Sequence, residues 1–284
     1  MKRRDFLQKA GVAAIGAPVF GGAASRAAGA APPTPATVAD RPTAPKTARN
    51  VLVTSAQSRL AQAVADALSP DWQVRLTAPS DVPTTHQFRR EELSHNAATV
   101  ELVRGMDAVV HLAEAPPGTG AAEQIDYCTR CTYHLLRAAA QEGVRRLVYL
   151  SSLAMLTAYD PDFDVTEDWR PLASGEATGL PAYLGEFTCR EFARQGPLHV
   201  VVLRLGRVVG AEEVAGTPFD PLWVERRDVA EAVRLVLAVP DRDPRLGPDR
   251  WSVFHIGHDS PRARFSVAKA KRLLGYQPRH NWNP

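Results

Sequence analysis

Residues 50–68 read NVLVTSAQSRLAQAVADAL, and this stretch decides the fold. Its first five residues form an apolar run of strand length, and from Arg59 onward the apolar residues recur at helical spacing. Further strands are predicted at WQVRLT, DAVVHLA, RLVYLSS, HVVVLRLG and SVFHIG. Uninterrupted apolar strands between helices are typical of a parallel sheet covered on both faces, so the sequence predicts a doubly wound α/β fold.

The helices are predicted from the same spacing of apolar residues. They lie at residues 59–68, 91–104, 125–143, 183–195 and 228–239. A closing helix ends at Gly275, because glycine is common just past a helix and Pro278 prevents its continuation.

Residues 1–30 have the three-part layout of an export signal. A basic start is followed by the apolar run GVAAIGAPVF and by small residues that end in AGA. Arg3 and Arg4, with Phe6 close behind, resemble a twin-arginine signal, although Lys2 stands where that signal usually has Ser or Thr. The pattern predicts export by the twin-arginine route to the periplasm or another extracytoplasmic compartment. The alternative is a basic amphipathic helix that belongs to the fold.

Residues 31–49 are rich in Pro, Ala and Thr and predict an extended linker, which leaves residues 50–284 for the folded domain. Cleavage after Ala30 removes a net charge of +4, so the net charge falls from +3 to −1. The remainder has no long Lys/Arg stripe with interleaved aromatic residues, and nucleic acid is therefore not an expected partner. No apolar run reaches the roughly 20 residues of a membrane span.

Several segments resemble, in sequential order, the extended short-chain dehydrogenase/reductase family of NAD-dependent sugar epimerases, dehydratases and dehydrogenases. They are MDAVVHLAE, HLLRAAAQEGVRRLVYLSS, VVVLRLGRVVG, RRDVAEAVRLVL and KRLLGYQPR. The resemblance covers residues 50–279 and implies a Rossmann-like domain with a small C-terminal substrate lobe. It also implies NAD or NADP as cofactor, a small-molecule ligand such as a sugar, and a homodimer formed through the helices that carry Cys128 and Tyr183.

The first turn departs from the family pattern T-G-x-x-G-x-x-G. Thr54 is present, but Ser55, Ser58 and Ala61 replace the three glycines. A side chain costs on the order of 1 kcal/mol where positive φ is required, yet the N–H groups at the helix start still attract phosphate. The resemblance therefore implies weakened cofactor binding through Thr54, Ser55, Ser58, Ala61 and Ala113. The alternative is a loop that only closes the strand onto the helix.

The second strand also departs from the pattern. It ends in VRLTAPSD, so Thr77 or Ala78 stands where the family has an acidic residue for the ribose hydroxyls. Nothing in the sequence therefore favours NAD over NADP. Arg75 is interpreted as a solvated or capping residue.

The catalytic groups of the family are a tyrosine, a lysine four residues later and a Ser or Thr. Aligning RLVYLSSLAML places the hydroxyl at Ser152, and aligning AYLGEFTCRE places the tyrosine at Tyr183 and the family's later glutamate at Glu191. The lysine position is then Phe187. A phenol with a pKa near 10 needs a nearby cation to act as a base, and Phe187 supplies none.

Two functions follow from these substitutions. The first is a catalytically impaired scaffold that binds a small ligand or a partner. The second is an active NAD(P)-dependent oxidoreductase or epimerase that acts on a sugar or sugar acid through Tyr183 and Ser152.

The three cysteines are Cys128, Cys131 and Cys189. C-x-x-C motifs can bind metal, but neither a second such motif nor H-x-x-x-H is present, so no metal site is predicted. We expect buried, inert thiols, with a disulfide as the alternative because an exported protein can form one. His111, on a buried strand near the cofactor face, is expected to be a packing residue.

Overall fold

The computed structural model describes residues 49–173, 179–241, 243–247 and 249–282. The predicted export signal at residues 1–30 and nearly all of the predicted linker at residues 31–49 lie outside the described residues. Both stay predictions.

A seven-stranded parallel sheet forms the centre of the domain, with the strand order β3-β2-β1-β4-β5-β6-β9. Strands β7 and β8 form a separate two-stranded sheet. The strands are β1 (Arg49–Val53), β2 (Trp72–Ala78), β3 (Gln87–Arg90), β4 (Ala108–His111), β5 (Arg146–Ser152), β6 (His199–Leu205), β7 (Arg207–Val209), β8 (Trp223–Glu225) and β9 (Trp251–Ile256).

Helices cover both faces of the sheet. They are α1 (Arg59–Leu68), α2 (Ala97–Val103), α3 (Ala121–Asp126), α4 (Thr132–Gln141), α5 (Gly179–Gln195), α6 (Arg226–Ala238) and α7 (Ala268–Leu274). A π-helical turn, Tyr127–Cys131, joins α3 to α4. In the part of the chain that the structure describes, no helix combines the length and hydrophobicity needed to cross a bilayer. The predicted Rossmann-like doubly wound fold is confirmed.

Alternate residues of β5 enter different cores. Val148 and Leu150 pack with α1, α6 and α7 on one face of the sheet, whereas Leu147 and Tyr149 pack with α2, α4 and α5 on the other. Successive side chains of a strand point to opposite faces, so a strand covered on both sides is apolar throughout. This accounts for the uninterrupted apolar runs of the sequence.

The prediction of a helix at residues 91–104 was wrong at its start. The additional strand β3 ends at Arg90, and α2 begins only after Asn96, whose side chain accepts a 2.8 Å hydrogen bond from the N–H of Thr99. Such a cap satisfies a donor that has no partner inside the helix, so it determines where the helix starts. Arg75 has the capping role predicted as one alternative, since its Nη1 donates to the carbonyl of Leu102 near the end of α2.

The order of the strands reverses between β1 and β4. From β1 the chain proceeds to β2 on one side, and from β4 it proceeds to β5 on the other. The loops that follow β1 and β4 therefore diverge at the carboxyl edge of the sheet, and this crevice is where open α/β sheets bind their ligands.

Candidate functional site

A cleft of about 660 Å³ lies at this crevice. The loops after β1 and β4 form one wall, the carboxyl end of β5 forms the floor, and the start of α5 and the segment after β6 complete it. Its volume is within the range of roughly 300–1,000 Å³ typical of small-molecule and cofactor sites.

The turn after β1 keeps the conformation of a glycine turn without the glycine. Ser55 has φ of 57°, in the left-handed region, and its side chain is fully buried. The Ser55 hydroxyl donates to the carbonyl of Glu114 at 2.8 Å and accepts from the N–H of Glu114 at 3.3 Å. These two bonds offset the strain of about 1–2 kcal/mol and connect the loops after β1 and β4.

The other two glycine positions need no glycine. Ser58 has φ of −79° and caps α1, because its hydroxyl accepts from the N–H of Leu60. Ala61 is fully buried in the core between α1 and the sheet. Among the predicted cofactor residues, Ser58 and Ala113 line the cleft, whereas Thr54, Ser55 and Ala61 are buried in the structure behind its wall.

A chain of buried hydrogen bonds also holds the wall formed by the loops after β1 and β4. The hydroxyl of Thr54 lies 2.8 Å from Nδ1 of His111, and Nε2 of His111 lies 2.8 Å from the hydroxyl of Thr132. Thr132 in turn donates to the carbonyl of Tyr127 in the π-helical turn, and the Leu112 N–H donates to Thr54. The bonds are all satisfied if Thr54 donates to Nδ1 and Nε2–H donates to Thr132.

Burial lowers the pKa of His111 to about 3, so the imidazole is neutral at physiological pH. Its two ring nitrogens are both occupied by threonine hydroxyls. His111 therefore has the packing role that the sequence predicts.

The loop after β4 is held by α3 and by a thiol. Ala113 has φ of 53°, and its carbonyl accepts from Nε2 of Gln124 and from the thiol of Cys128. Burial raises the pKa of Cys128 to about 11, so the thiol is neutral. All three cysteines are described, free and buried, as expected for inert thiols, and the disulfide alternative is not observed.

Polar atoms without partners lie along the cleft. The hydroxyl oxygen of Ser151 and Oε1 of Gln57 are buried and have no hydrogen-bond partner among the residues that the structure describes. A buried polar atom left unpaired costs about 1–3 kcal/mol, so such atoms indicate a site for a polar ligand. Ser152 also lines the cleft, where its hydroxyl accepts from the N–H of Ala154.

The phenol of Tyr149 fits only because residue 185 is glycine. A Cβ on Gly185 would lie 1.8 Å from the phenol oxygen. Burial holds the pKa of Tyr149 well above its usual value of 10, so the phenol is neutral and can donate a hydrogen bond. The phenol is fully buried and packs between β5 and α5 beside Gly185.

Two different faces of α5 line two different cavities. Pro181 and Ala182 line the cleft that contains Ser152. Tyr183 and Phe187 instead line a second cavity of about 680 Å³, together with residues 167–171 and parts of β9 and α7. The structure therefore does not bring Tyr183 together with Ser152, and the Phe187 side chain is 57% exposed.

The two glutamates of α5 in this region differ in environment. Glu186 is buried and forms a bidentate ion pair with Arg204 of β6, with both N–O distances 2.9 Å. Glu191, the residue aligned with the family's later glutamate, pairs with Arg194 one turn away on the helix surface. A buried bidentate pair fixes α5 on the sheet far more firmly than a surface pair does.

Sequence reasoning missed a charged cluster at one end of the cleft. Arg59 is the first residue of α1 and Arg226 is the first residue of α6, and both pair with the carboxylate of Glu213. Glu213 also accepts a 2.8 Å hydrogen bond from the N–H of Gly210. This bond, followed by Arg226 and Arg59, lowers the pKa of Glu213 to about 2. The sequence could have suggested this cluster, because two helices start with arginine and the start of a helix disfavours cations.

A second cluster lies away from the cleft. Glu225, Asp228 and His280 have potential ligand atoms within 4.8 Å of one another. The Asp228 carboxylate accepts 3.0 Å hydrogen bonds from the N–H groups of Arg279 and His280. Asp228 therefore fastens the C-terminal segment to the start of α6.

Sequence comparison identifies the type of domain. The model of the NAD dependent epimerase/dehydratase family matches residues 38–226, more than half of the chain. The uncharacterized protein YtbQ of Bacillus subtilis (strain 168) is 27% identical over 167 residues, which cover 55% of this chain. The matched region spans 62% of the length of YtbQ.

Solved structures, among them two with NAD bound, have a similar fold. MoeE5 in complex with UDP-glucuronic acid and NAD has a TM-score of 0.66 at 22% identity, covering 82% of this chain and 94% of MoeE5. Uronate dehydrogenase from Agrobacterium tumefaciens, in a mutant complexed with NAD, has a TM-score of 0.70 at 18% identity, covering 82% and 85%. UDP-N-acetylglucosamine 4-epimerase from Bacillus cereus has a TM-score of 0.65 at 19% identity, covering 82% and 95%.

Proposed function

The chain belongs to the NAD dependent epimerase/dehydratase family, and from this premise we propose that it is an exported, divergent member that binds a small ligand and is catalytically impaired. NAD or NADP is the proposed ligand of the cleft. A sugar or sugar acid is the proposed second ligand, because similar folds bind UDP-sugars.

One observation carries the catalytic part of this proposal. The sequence contains no lysine between Lys46 and Lys269, so α5 carries none in any alignment. Lys269 lines the second cavity and lies over the ring of Phe254, 5.3 Å from its centroid. A tyrosine on α5 would have no lysine on its own helix to lower its pKa, so proton transfer near neutral pH would be slow.

The two faces of α5 support a revised alignment. Ala182 faces the cleft, so in our proposal it replaces Phe187 as the lysine position. The tyrosine position, four residues earlier, is then Thr178, which lies outside the described residues. Glu186, eight residues after Thr178, takes the place assigned to Glu191 and holds Arg204. Tyr183 is then not the catalytic tyrosine.

The remaining groups are suited to holding a dinucleotide. The start of α1 and Ser58 would face its phosphates, because the N–H groups of a helix start attract anions. Gln57 and Ser151 would satisfy their unpaired polar atoms on its amide and hydroxyl groups. Ser152 would orient a substrate oxygen. When bound, NAD would supply a hydride acceptor, but this chain lacks the pair of residues that would move the accompanying proton.

The test is a titration of the purified chain with NADH and with NADPH, followed by nucleotide fluorescence. We expect saturable binding of at least one nucleotide. We also expect no NADH to form, measured by absorbance, when NAD is mixed with glucuronic acid or UDP-glucose. Sugar-dependent NADH formation would reject the catalytic part of the proposal, and absence of any saturable binding would reject the ligand.

Export is the second part of the proposal, and the motif around Arg3 and Arg4 supports it. Replacing both arginines by lysine should leave the chain in the cytoplasm, as measured by fractionation and immunoblotting. Lys9→Gln, which spares the paired arginines, serves as the matched control and should still be exported.

A homodimer is the third part. Tyr133 of α4 and Phe187 of α5 are 45% and 57% exposed, so the two helices offer large aromatic side chains to a second copy of the chain. Phe187→Glu should shift the mass measured by light scattering toward the monomer. Phe163→Glu, at another exposed aromatic residue, should not.

A further inference from the structure

Two arginines occupy the least favourable positions of their helices. Arg59 begins α1 and Arg226 begins α6, and both side chains line the cleft. The first turn of a helix carries the positive end of its dipole, so a cation there is destabilised unless an anion accompanies it. The start of α6 has acidic neighbours, because Glu225 caps it and Asp228 lies in its first turn, whereas the first turn of α1 contains no acidic residue. The two guanidinium groups nevertheless place two cations at one end of the cleft.

The carboxylate of Glu213 supplies the anion within this chain. Its Oε1 lies 2.6 Å from Nη2 of Arg226 and also accepts from Nη1 of Arg59, while its Oε2 accepts from the N–H of Gly210. Gly210 permits this arrangement, because a Cβ there would lie 2.8 Å from Nη2 of Arg226. The three donors surround Glu213 as they would surround one oxygen-rich group of a phosphate.

The contacts of Glu213 are replaceable. The side chains of Glu213 and Arg59 are 35% and 78% exposed, so their ion pair is screened by water and salt. The same cleft contains the buried, unpartnered oxygens of Ser151 and Gln57, which point independently to a polar ligand. A diphosphate that enters this end carries more negative charge than one carboxylate and can accept bidentate bonds from both arginines.

We propose that Glu213 is an internal competitor for the diphosphate of the nucleotide, and that binding displaces its carboxylate from Arg59 and Arg226. This inference rests on the proposed function, because it concerns the same cleft. The affinity for the nucleotide is then limited, because Arg59 and Arg226 bind either the carboxylate of Glu213 or the diphosphate.

The test compares Glu213→Gln with Glu212→Gln in the full chain. Glu212 is the matched control because it is an exposed neighbouring acid that approaches Arg226 only to 3.8 Å. NADH binding is measured by fluorescence and inorganic pyrophosphate binding by calorimetry. We expect Glu213→Gln to bind both about tenfold more tightly, and Glu212→Gln to stay within about twofold of the unmodified chain.

Arg59→Gln supplies a second measurement. If the competition is for the arginines, the gain from Glu213→Gln should be largely lost when Arg59→Gln is present, because the site then lacks one of the groups competed for. Should Glu213→Gln fail to fold, Glu213→Asp retains the charge on a shorter side chain and should bind about threefold more tightly.

The possible outcomes distinguish failure of the competition by Glu213 from failure of the proposed nucleotide binding. Equal NADH affinity in the unmodified chain and the Glu213→Gln variant would overturn the competition and leave the proposed function intact. If neither binds NADH, the proposed function fails and pyrophosphate decides: tighter binding by Glu213→Gln supports the competition, and equal or absent binding overturns it.

Discussion

In our proposal, the turn after β1 and the helix α5 both lack residues that the family resemblance places at the site, with opposite results. The turn lost its glycines, yet Ser55 still takes a positive φ and the chain still closes onto α1. Helix α5 has no lysine, and no cation on it faces the cleft among the described residues. A backbone conformation can be restored by other hydrogen bonds, whereas a charge must be supplied by a charged group.

Restoring the missing pair should have the largest effect. Thr178→Tyr combined with Ala182→Lys should raise sugar-dependent NADH formation at least about 100-fold, about 2.7 kcal/mol, over the Ala182→Lys single variant, because general acid–base catalysis contributes this much or more. Phe187→Lys, which would complete a pair with Tyr183, is the matched control and should leave the rate unchanged. Activity in the control alone would return the site to Tyr183 and refute the revised alignment.

The next largest effect is expected when the space beside Tyr149 is filled. Gly185→Ala should lower the free energy of unfolding by about 2 kcal/mol or more, because its Cβ would overlap the phenol. Chemical denaturation measures this change. Adding Tyr149→Phe should recover part of the loss, since it removes the phenol oxygen, which the new Cβ overlaps most, without opening a large cavity. A Gly185→Ala variant as stable as the unmodified chain would contradict the packing of α5 on β5.

The turn itself offers a smaller effect. Ser55→Ala should lower the free energy of unfolding by about 1.5 kcal/mol, because it keeps the strained φ and loses both bonds to Glu114. Ser55→Gly loses the same bonds but relieves about 1 kcal/mol of strain, so it should be clearly more stable than Ser55→Ala in the same denaturation experiment. Equal stabilities would mean that φ at this position is not positive.

Acid should destabilise the folded chain through His111, which lies behind the turn after β1. The pKa of His111 is lowered to about 3 in the folded chain, against 6.5 when exposed. Between these values the unfolded chain binds the extra proton, so the free energy of unfolding should fall as pH decreases from 6.5 toward 3, by about 1 kcal/mol per pH unit for this group.

The same pH series in a His111→Gln variant is the check on that prediction. Its slope should be smaller but not zero, because burial also lowers the pKa of His255 to about 3. An unchanged slope in the variant would mean that His111 does not contribute.

The sequence predicts the fold well because apolar strands and helical spacing record burial directly. The site is harder to predict. Tyr183 and Glu191 have the family's spacing in the sequence, and our proposal moves the alignment of α5 because Tyr183 lines a different cavity from Ser152. The direction of each side chain depends on how Gly185 and Tyr149 pack, which sequence spacing does not reveal. The cluster of Arg59, Glu213 and Arg226 joins residues far apart in sequence, and no local pattern reveals such a contact.

The two bonds of Ser55 and the threonine–histidine chain behind it have a consequence for how a ligand would enter. They join the loops after β1 and β4 to the π-helical turn, so this side of the cleft should be rigid. On the opposite side, Glu213 is paired with Arg59 through an exposed ion pair, and the segment around Glu213 should therefore be the more mobile side of the cleft. Backbone amides of residues 210–217 should then exchange with solvent much faster than those of residues 108–113.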